Sequence, residues 1–251
     1  FPSLHPFNIR NMFHLRGKKI MFALLPALFV VSFAQAQRYS GGNYNFYNFE
    51  KKAYYFGITL GRNTSSFKPF RSKEFLLNDT IIGIESISGP GFNLGIVTNL
   101  KIGDYFDFRF TPTLSFAERN IRYNKDSRFA NFSQRSIEQV LVEMPFQFRY
   151  KSAPYRDFRL FVTAGIKYSF DVASDSRTRQ AGNIVKIAPN DFAVEYGAGI
   201  QFFFPYFIFS PEFKMSHGIG NILIYNDNIE ESTVLDKILS RTFTISLHFE
   251  G

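Results

Sequence analysis

Phe158-Arg159-Leu160-Phe161-Val162-Thr163-Ala164-Gly165-Ile166-Lys167-Tyr168-Ser169-Phe170-Asp171 alternates with a period of two. Successive side chains of an extended strand point to opposite sides. Phe158, Leu160, Val162, Ala164, Ile166, Tyr168 and Phe170 therefore share one face, and Arg159, Thr163, Gly165, Lys167, Ser169 and Asp171 share the other. Phe161 is the one misfit. A strand with one wholly apolar face and one face of charges and small groups needs two different surroundings.

The same period recurs on both sides of this stretch. Phe56, Ile58 and Leu60 alternate with Gly57, Thr59 and Gly61; Phe92, Leu94, Ile96, Leu100 and Ile102 with Asn93, Gly95, Asn99 and Lys101. Phe106, Phe108, Phe110, Leu114 and Phe116 oppose Asp107, Arg109, Thr111, Thr113 and Ser115, and Val140 to Tyr150 opposes Glu143, Gln147 and Arg149. After the stretch come Phe192 to Phe202 against Glu195, Gly197, Gly199 and Gln201, then Phe207 to Met215 against Ser210, Glu212, Lys214 and Ser216. The last segment sets Phe243, Ile245, Leu247 and Phe249 against Thr242, Thr244, Ser246 and His248. With the opening stretch this makes about eight segments, a number that closes into a small barrel.

The connections alternate in length. Gly103-Asp104, Ser152 to Asp157 and Pro205-Tyr206 are tight, whereas 62–91, 117–135, 172–190 and 218–240 are long and rich in Asn, Ser, Gly and charge. Short turns at one end and long loops at the other are the asymmetry of an outer-membrane barrel. Segments of about ten to thirteen residues, tilted by roughly 40°, cover the ~25 Å apolar band of such a membrane.

Which face meets lipid follows from volume. An eight-stranded barrel encloses room for modest side chains only, and Phe-sized groups from every strand would overfill it, which disfavours a soluble, lipocalin-like barrel. The opposite face, with its glycines and charges, suits a crowded interior. The chain carries 33 Phe and 13 Tyr, 18% aromatic residues in all, more ring area than a soluble core of 251 residues easily buries. The expected fold is thus all-β: an eight-stranded antiparallel transmembrane β-barrel with short periplasmic turns and long extracellular loops.

Its interior then holds Glu143, Glu195 and Glu212 with Lys167 and Lys214, and nearer the periplasmic end Asp107 with Arg109 and Arg149. Buried charges must pair, since an uncompensated one costs about 3–5 kcal/mol. These eight residues are the candidate lumen charge network, read as a zipped polar core; individually solvated charges lining a narrow pore are the alternative.

Arg16, Lys18 and Lys19 precede an apolar run from Ile20 to Phe33 and the small-residue site Ala34-Gln35-Ala36. This is the pattern of a secretory leader, with cleavage expected after Ala36 and translation from Met12. The expected organisation is a leader with an upstream extension (1–36), a periplasmic N-terminal segment (37–52) and the barrel (53–251). The net charge of +8 falls to 25 basic against 21 acidic residues once the leader's four cations are set aside, which gives no argument for nucleic acid as a partner. With no Cys, disulfides and thiolate sites are excluded.

Nothing in the sequence points to a catalytic set, a metal site or a cofactor. His217 has Ser216 and Glu212 close in sequence, but alternation turns it away from both, so it reads as a polar rim residue; His248 sits near the far end of the last segment. The Gly-rich stretches lie on strands with no following helix and are not phosphate loops. Arg119, Arg122, Lys125, Arg128 and Arg135 could meet lipopolysaccharide phosphates or form a solvated loop. Residues 37–50 and 76–87 are candidate contact segments for protein partners, or ordinary linkers.

Several stretches carry a family resemblance: Phe49-Glu50-Lys51-Lys52-Ala53-Tyr54-Tyr55-Phe56-Gly57-Ile58-Thr59-Leu60-Gly61, Pro90-Gly91-Phe92-Asn93-Leu94-Gly95, Leu114-Ser115-Phe116-Ala117-Glu118-Arg119, Glu143-Met144-Pro145 and Ser210-Pro211-Glu212-Phe213-Lys214. In this order they resemble PorT-type outer-membrane barrel proteins over roughly residues 45–251. Where that family carries His as the second residue of the tyrosine motif, Tyr55 stands here. The resemblance implies a non-enzymatic component or assembly factor of the type IX secretion system, in some bacteria linked to gliding motility, with secretion subunits as partners; outer-membrane lipid and lipopolysaccharide are the partners expected of the barrel itself. The alternative is a generic small barrel acting as a lipid-binding anchor or narrow pore.

Overall fold

The computed structural model describes residues 44–77, 81–125, 132–172, 186–226 and 230–251. Its main elements in chain order are β1 (Tyr54–Arg71), β2 (Ile81–Lys101), β3 (Phe106–Phe110), β4 (Thr113–Lys125), β5 (Phe132–Lys151), β6 (Phe158–Asp171), β7 (Lys186–Ile187), β8 (Asn190–Phe203), β9 (Ile208–Gly218), β10 (Leu223–Ile224) and β11 (Leu235–Glu250). β3 and β4 are two halves of one stave, interrupted at Thr111-Pro112, where proline has no N–H to give the ladder. The alternation over 106–116 predicts one unbroken strand, and the proline divides it.

Counting β3–β4 once, eight antiparallel staves run β1-β2-β3/β4-β5-β6-β8-β9-β11 and return to β1. Gly57 shows the closure, standing opposite Val97 of β2 on one side and Glu250 of β11 on the other. A closed ring leaves no unpaired backbone facing hydrocarbon, the condition for crossing a bilayer with strands. No helix among the described residues is long and apolar enough to cross a membrane.

The wall is sided as a transmembrane barrel requires. On β6, Leu160, Val162 and Ile166 are exposed while Arg159, Thr163, Lys167 and Ser169 are buried. Rings form a nearly continuous outer surface over β2 to β5: Phe92 stacks on Phe116 at 4.5 Å and Phe110 on Phe146 at 4.8 Å. Phe161, the misfit, points inward and is buried. Its place follows from Gly199 opposite it on β8, where a methyl group would collide with the Phe161 ring and with the Pro211 carbonyl. The Arg149 guanidinium covers the same ring at 4.1 Å.

The short connections are tight turns, Gly103 adopting φ 133° and Arg156 φ 52°. The long connections differ from the expectation of irregular loops. β1 continues past Arg62 to Arg71 and β2 begins at Ile81, while β4, β5 and β11 are extended in the same way. The β1–β2 ladder ends at Ser65 and Gly89; beyond it β1 pairs only with β11 and β2 only with β4, so two leaves diverge, bridged where Phe67 N donates to Ser86 Oγ at 2.8 Å. Phe67, Leu235 and Ile238 from one leaf and Ile81, Ile84, Ile121 and Tyr123 from the other bury a common apolar core, joined by Ile187 and Ile222. The segment 76–87, a candidate for partner docking, thus spends Ile81 and Ile84 on the protein's own core, while Leu76 and Leu77 have side chains outside the described set.

At the opposite end, the helix Phe46–Glu50 lies across the short-turn mouth. Phe46 and Phe49 pack with Tyr55, Phe203 and Ile208, Phe46 meeting the Phe203 ring at 5.1 Å. Asn45 Nδ2 donates to the Phe203 carbonyl and Lys101 Nζ to the Glu50 carbonyl, which fixes the helix to the ends of β8 and β2. Of the candidate contact segment 37–50, residues 37–43 lie outside the described set.

Candidate functional site: the charged interior

Each of the eight candidate residues sits on an inward position of a stave, because period two carries that face unbroken along each strand. Asp107, Arg109, Glu143, Arg149, Lys167, Glu195, Glu212 and Lys214 are all buried. Two pairs join neighbouring staves: Lys167 to Glu143 at 3.0 Å between β6 and β5, and Lys214 to Glu195 at 3.4 Å between β9 and β8.

The remaining pairs reach across the lumen. Arg109 of β3 lies 3.7 Å from Glu212 of β9, and Arg149 of β5 lies 3.7 Å from Glu250 of β11. In the ring order each of these pairs is separated by four staves, a full diameter. Arg109 also bonds Glu250 directly. Glu212 is held further by Thr163 Oγ1, which donates to it at 2.7 Å, and by His248 Nε2, also at 2.7 Å. Gln147 Nε2 donates to Glu195 at 3.1 Å.

Asp107 was expected beside Arg109 and Arg149. It is paired with Lys151 instead, and Tyr55 OH donates to it at 3.2 Å. Alternate residues on one strand lie ~7 Å apart, which separates Arg109 from Asp107; Arg149 stands directly opposite Asp107 on β5, but its long side chain extends to Glu250 on the far wall, and the shorter Asp107 takes Lys151 nearest the turn. Glu250, Lys151 and Tyr55 are thereby members of the interior that the sequence reading left out. Glu250 had a signal: it continues the even-numbered inward set Thr242, Thr244, Ser246, His248.

His248 is fully buried in the lumen, on the face it shares with Thr242, Thr244 and Ser246. His217 faces outward, where its Nε2 lies 3.1 Å from Tyr196 OH. Arg119, expected in a loop, is a correction: inward and buried, it donates to Gln139 at 2.6 Å and covers the Phe67 ring. Among the other basic residues of that region, Arg128 and the side chains of Lys125 and Arg135 lie outside the described set. Among the described residues, no group of three or more His, Asp or Glu could hold a metal ion.

From the short-turn end upward the lumen therefore holds an aromatic cap, the cross-lumen ion pairs, a polar layer in which Asn63 bonds Asn93 and Ser115, and the apolar core between the leaves. A ring of staves with apolar residues outside and paired charges inside defines a transmembrane β-barrel of the outer membrane.

Comparison with known proteins names the family. The model of the outer membrane protein beta-barrel domain matches residues 33–223, and this chain belongs to that family. Similar solved structures include OprG of Pseudomonas aeruginosa, 9% identical, covering 79% of this chain and 95% of that one with a TM-score of 0.45. Neisserial surface protein A is 9% identical over 78% of this chain and 96% of its own, with a TM-score of 0.42. Ail, the attachment invasion locus protein of Yersinia pestis, is 14% identical over 80% and 100%, with a TM-score of 0.35. Among curated proteins none matches the sequence significantly.

Proposed function

We propose that this protein is a closed, non-enzymatic barrel that serves as a lipid-bound anchor of the outer membrane, delivered there after removal of its leader at Ala36. The observation that carries the reading is the pair of ionic bridges spanning the lumen, Arg109 with Glu212 and Arg149 with Glu250. Charges that meet across a diameter fill the space an ion would need, and separating them leaves buried charge without compensation. The apolar layers at both ends support the same reading.

A second reading, a component or assembly factor of type IX secretion, is favoured by the ordered motifs from Phe49 to Lys214 that resemble PorT-type barrels. In that reading the wall and the apposed leaves serve secretion subunits as a scaffold. Deleting the gene separates the two. The anchor reading expects cargo export to continue while the envelope becomes more sensitive to detergent; cargo held in the periplasm would overturn it in favour of the secretion role.

A further inference from the structure

We infer that the outer wall of the β1–β11 ladder, just above the apolar band, is a docking surface for the phosphorylated glycolipid of the outer leaflet, lipopolysaccharide. The inference rests on the anchor reading above and names the lipid that anchor holds.

The outward residues of this ladder are Arg62, Thr64, Ser66, Lys68 and Phe70 on β1, facing Ile245, Phe243, Arg241, Leu239 and Lys237 on β11. Four of these are cations and none is an acid; the exposed Asp236 stands beyond them, in the β11 bulge at the end of the ladder. None of the four pairs with a carboxylate among the described residues. Lys68 and Lys237 approach the same ring, Phe70, with Nζ at 5.3 Å and 4.4 Å from its centroid. Arg241 is diagonal to Lys68 across the ladder and directly opposite His217 of β9. Like charges gathered on adjacent strands repel unless an anion lies among them.

Two observations select a lipid as that anion. The cations continue without a gap into an exposed apolar surface, Leu60, Phe243 and Ile245, so one occupant with acyl chains below and phosphates above meets both. The opposite leaf is more acidic: Glu85 and Glu138 are exposed, Glu118 faces Glu138 on the neighbouring strand, and the outward Arg122 stands opposite Glu85. Cations without a carboxylate partner thus gather on the β1–β11 wall at headgroup height, where anionic headgroups attract basic side chains. Arg119, which the sequence reading had offered to the same phosphates, is turned into the lumen.

The test uses the full barrel in detergent micelles, titrated with bisphosphorylated lipid A, with lipid A stripped of both phosphates, and with inorganic polyphosphate. We expect phosphorylated lipid A to bind at least tenfold tighter than the stripped lipid. The combined variant Lys68→Gln, Lys237→Gln, Arg241→Gln should lose at least tenfold for the phosphorylated lipid and nothing for the stripped one, while Arg122→Gln on the other leaf changes neither. Retention of the heat-modifiable gel shift verifies that the variants are folded; these are outward side chains, and single substitutions, each expected to lose about threefold, serve if the combination misfolds. Equal binding of the two lipids, an unaltered affinity in the variants, or polyphosphate binding as tightly as lipid A would overturn the inference. Failure of the anchor reading would register separately, as steady ion conductance by the unaltered protein.

Discussion

Arg109 and Glu212 stand on staves a full diameter apart and yet approach to 3.7 Å. The contact exists because eight staves enclose a lumen narrow enough for one arginine to span. It makes each wall of the barrel dependent on the charge of the other.

Removing one partner should therefore be costly. We expect Glu250→Gln, which leaves Arg149 without its carboxylate and Arg109 with Glu212 alone, to lower stability by about 3–5 kcal/mol, with Glu212→Gln in the same range. Glu138→Gln on the exposed outer surface should stay within about 1 kcal/mol. Urea unfolding of barrels inserted in lipid vesicles measures all three.

The approach of β8 to the Phe161 ring gives a second expectation. Gly199→Ala should cost about 1–3 kcal/mol, the usual range for overpacking. The cost should persist in a Phe161→Ala background, because the introduced methyl still meets the Pro211 backbone carbonyl. The reference is Phe161→Ala alone, which loses a buried ring: in that background Gly199→Ala should still lower stability in the same assay, and no further loss would mean that the ring alone set the restriction.

The lipid-facing wall is testable at one position. Ile166 is 61% exposed near the middle of β6. Ile166→Arg should cost about 2–4 kcal/mol in a bilayer, as a cation at mid-membrane depth does. Ile166→Leu should cost less than about 1.5 kcal/mol.

The cap at the short-turn end depends on two rings. In the combined variant Phe46→Ala and Phe49→Ala we expect faster deuterium exchange over residues 44–52 with the stave ladders still protected. Exchange no faster than in the unaltered protein would mean that the rings do not hold the helix.

The staves were legible in the sequence wherever the apolar face looks outward, as in Phe158 to Phe170. They became illegible where the pattern inverts. Above the lipid, Arg62, Thr64 and Lys68 point outward while Phe67 points inward, so the strand persists with its polarity exchanged and resembles a loop to a reader following outward apolar residues. Ile121 and Tyr123 on β4, and Leu235 and Ile238 on β11, repeat the inversion. Inward placement of the eight candidate charges required only period two. Partner choice required the ring's diameter, which no single strand carries, and for that reason Arg149 could not be matched with Glu250 beforehand.

Conductance of the purified full-length barrel in a planar bilayer tests the closed interior most directly. With ion pairs across the lumen and apolar layers above and below, we expect no steady channel current at moderate voltage, in low or high salt. A stable, ohmic open state in the unaltered protein would contradict the account.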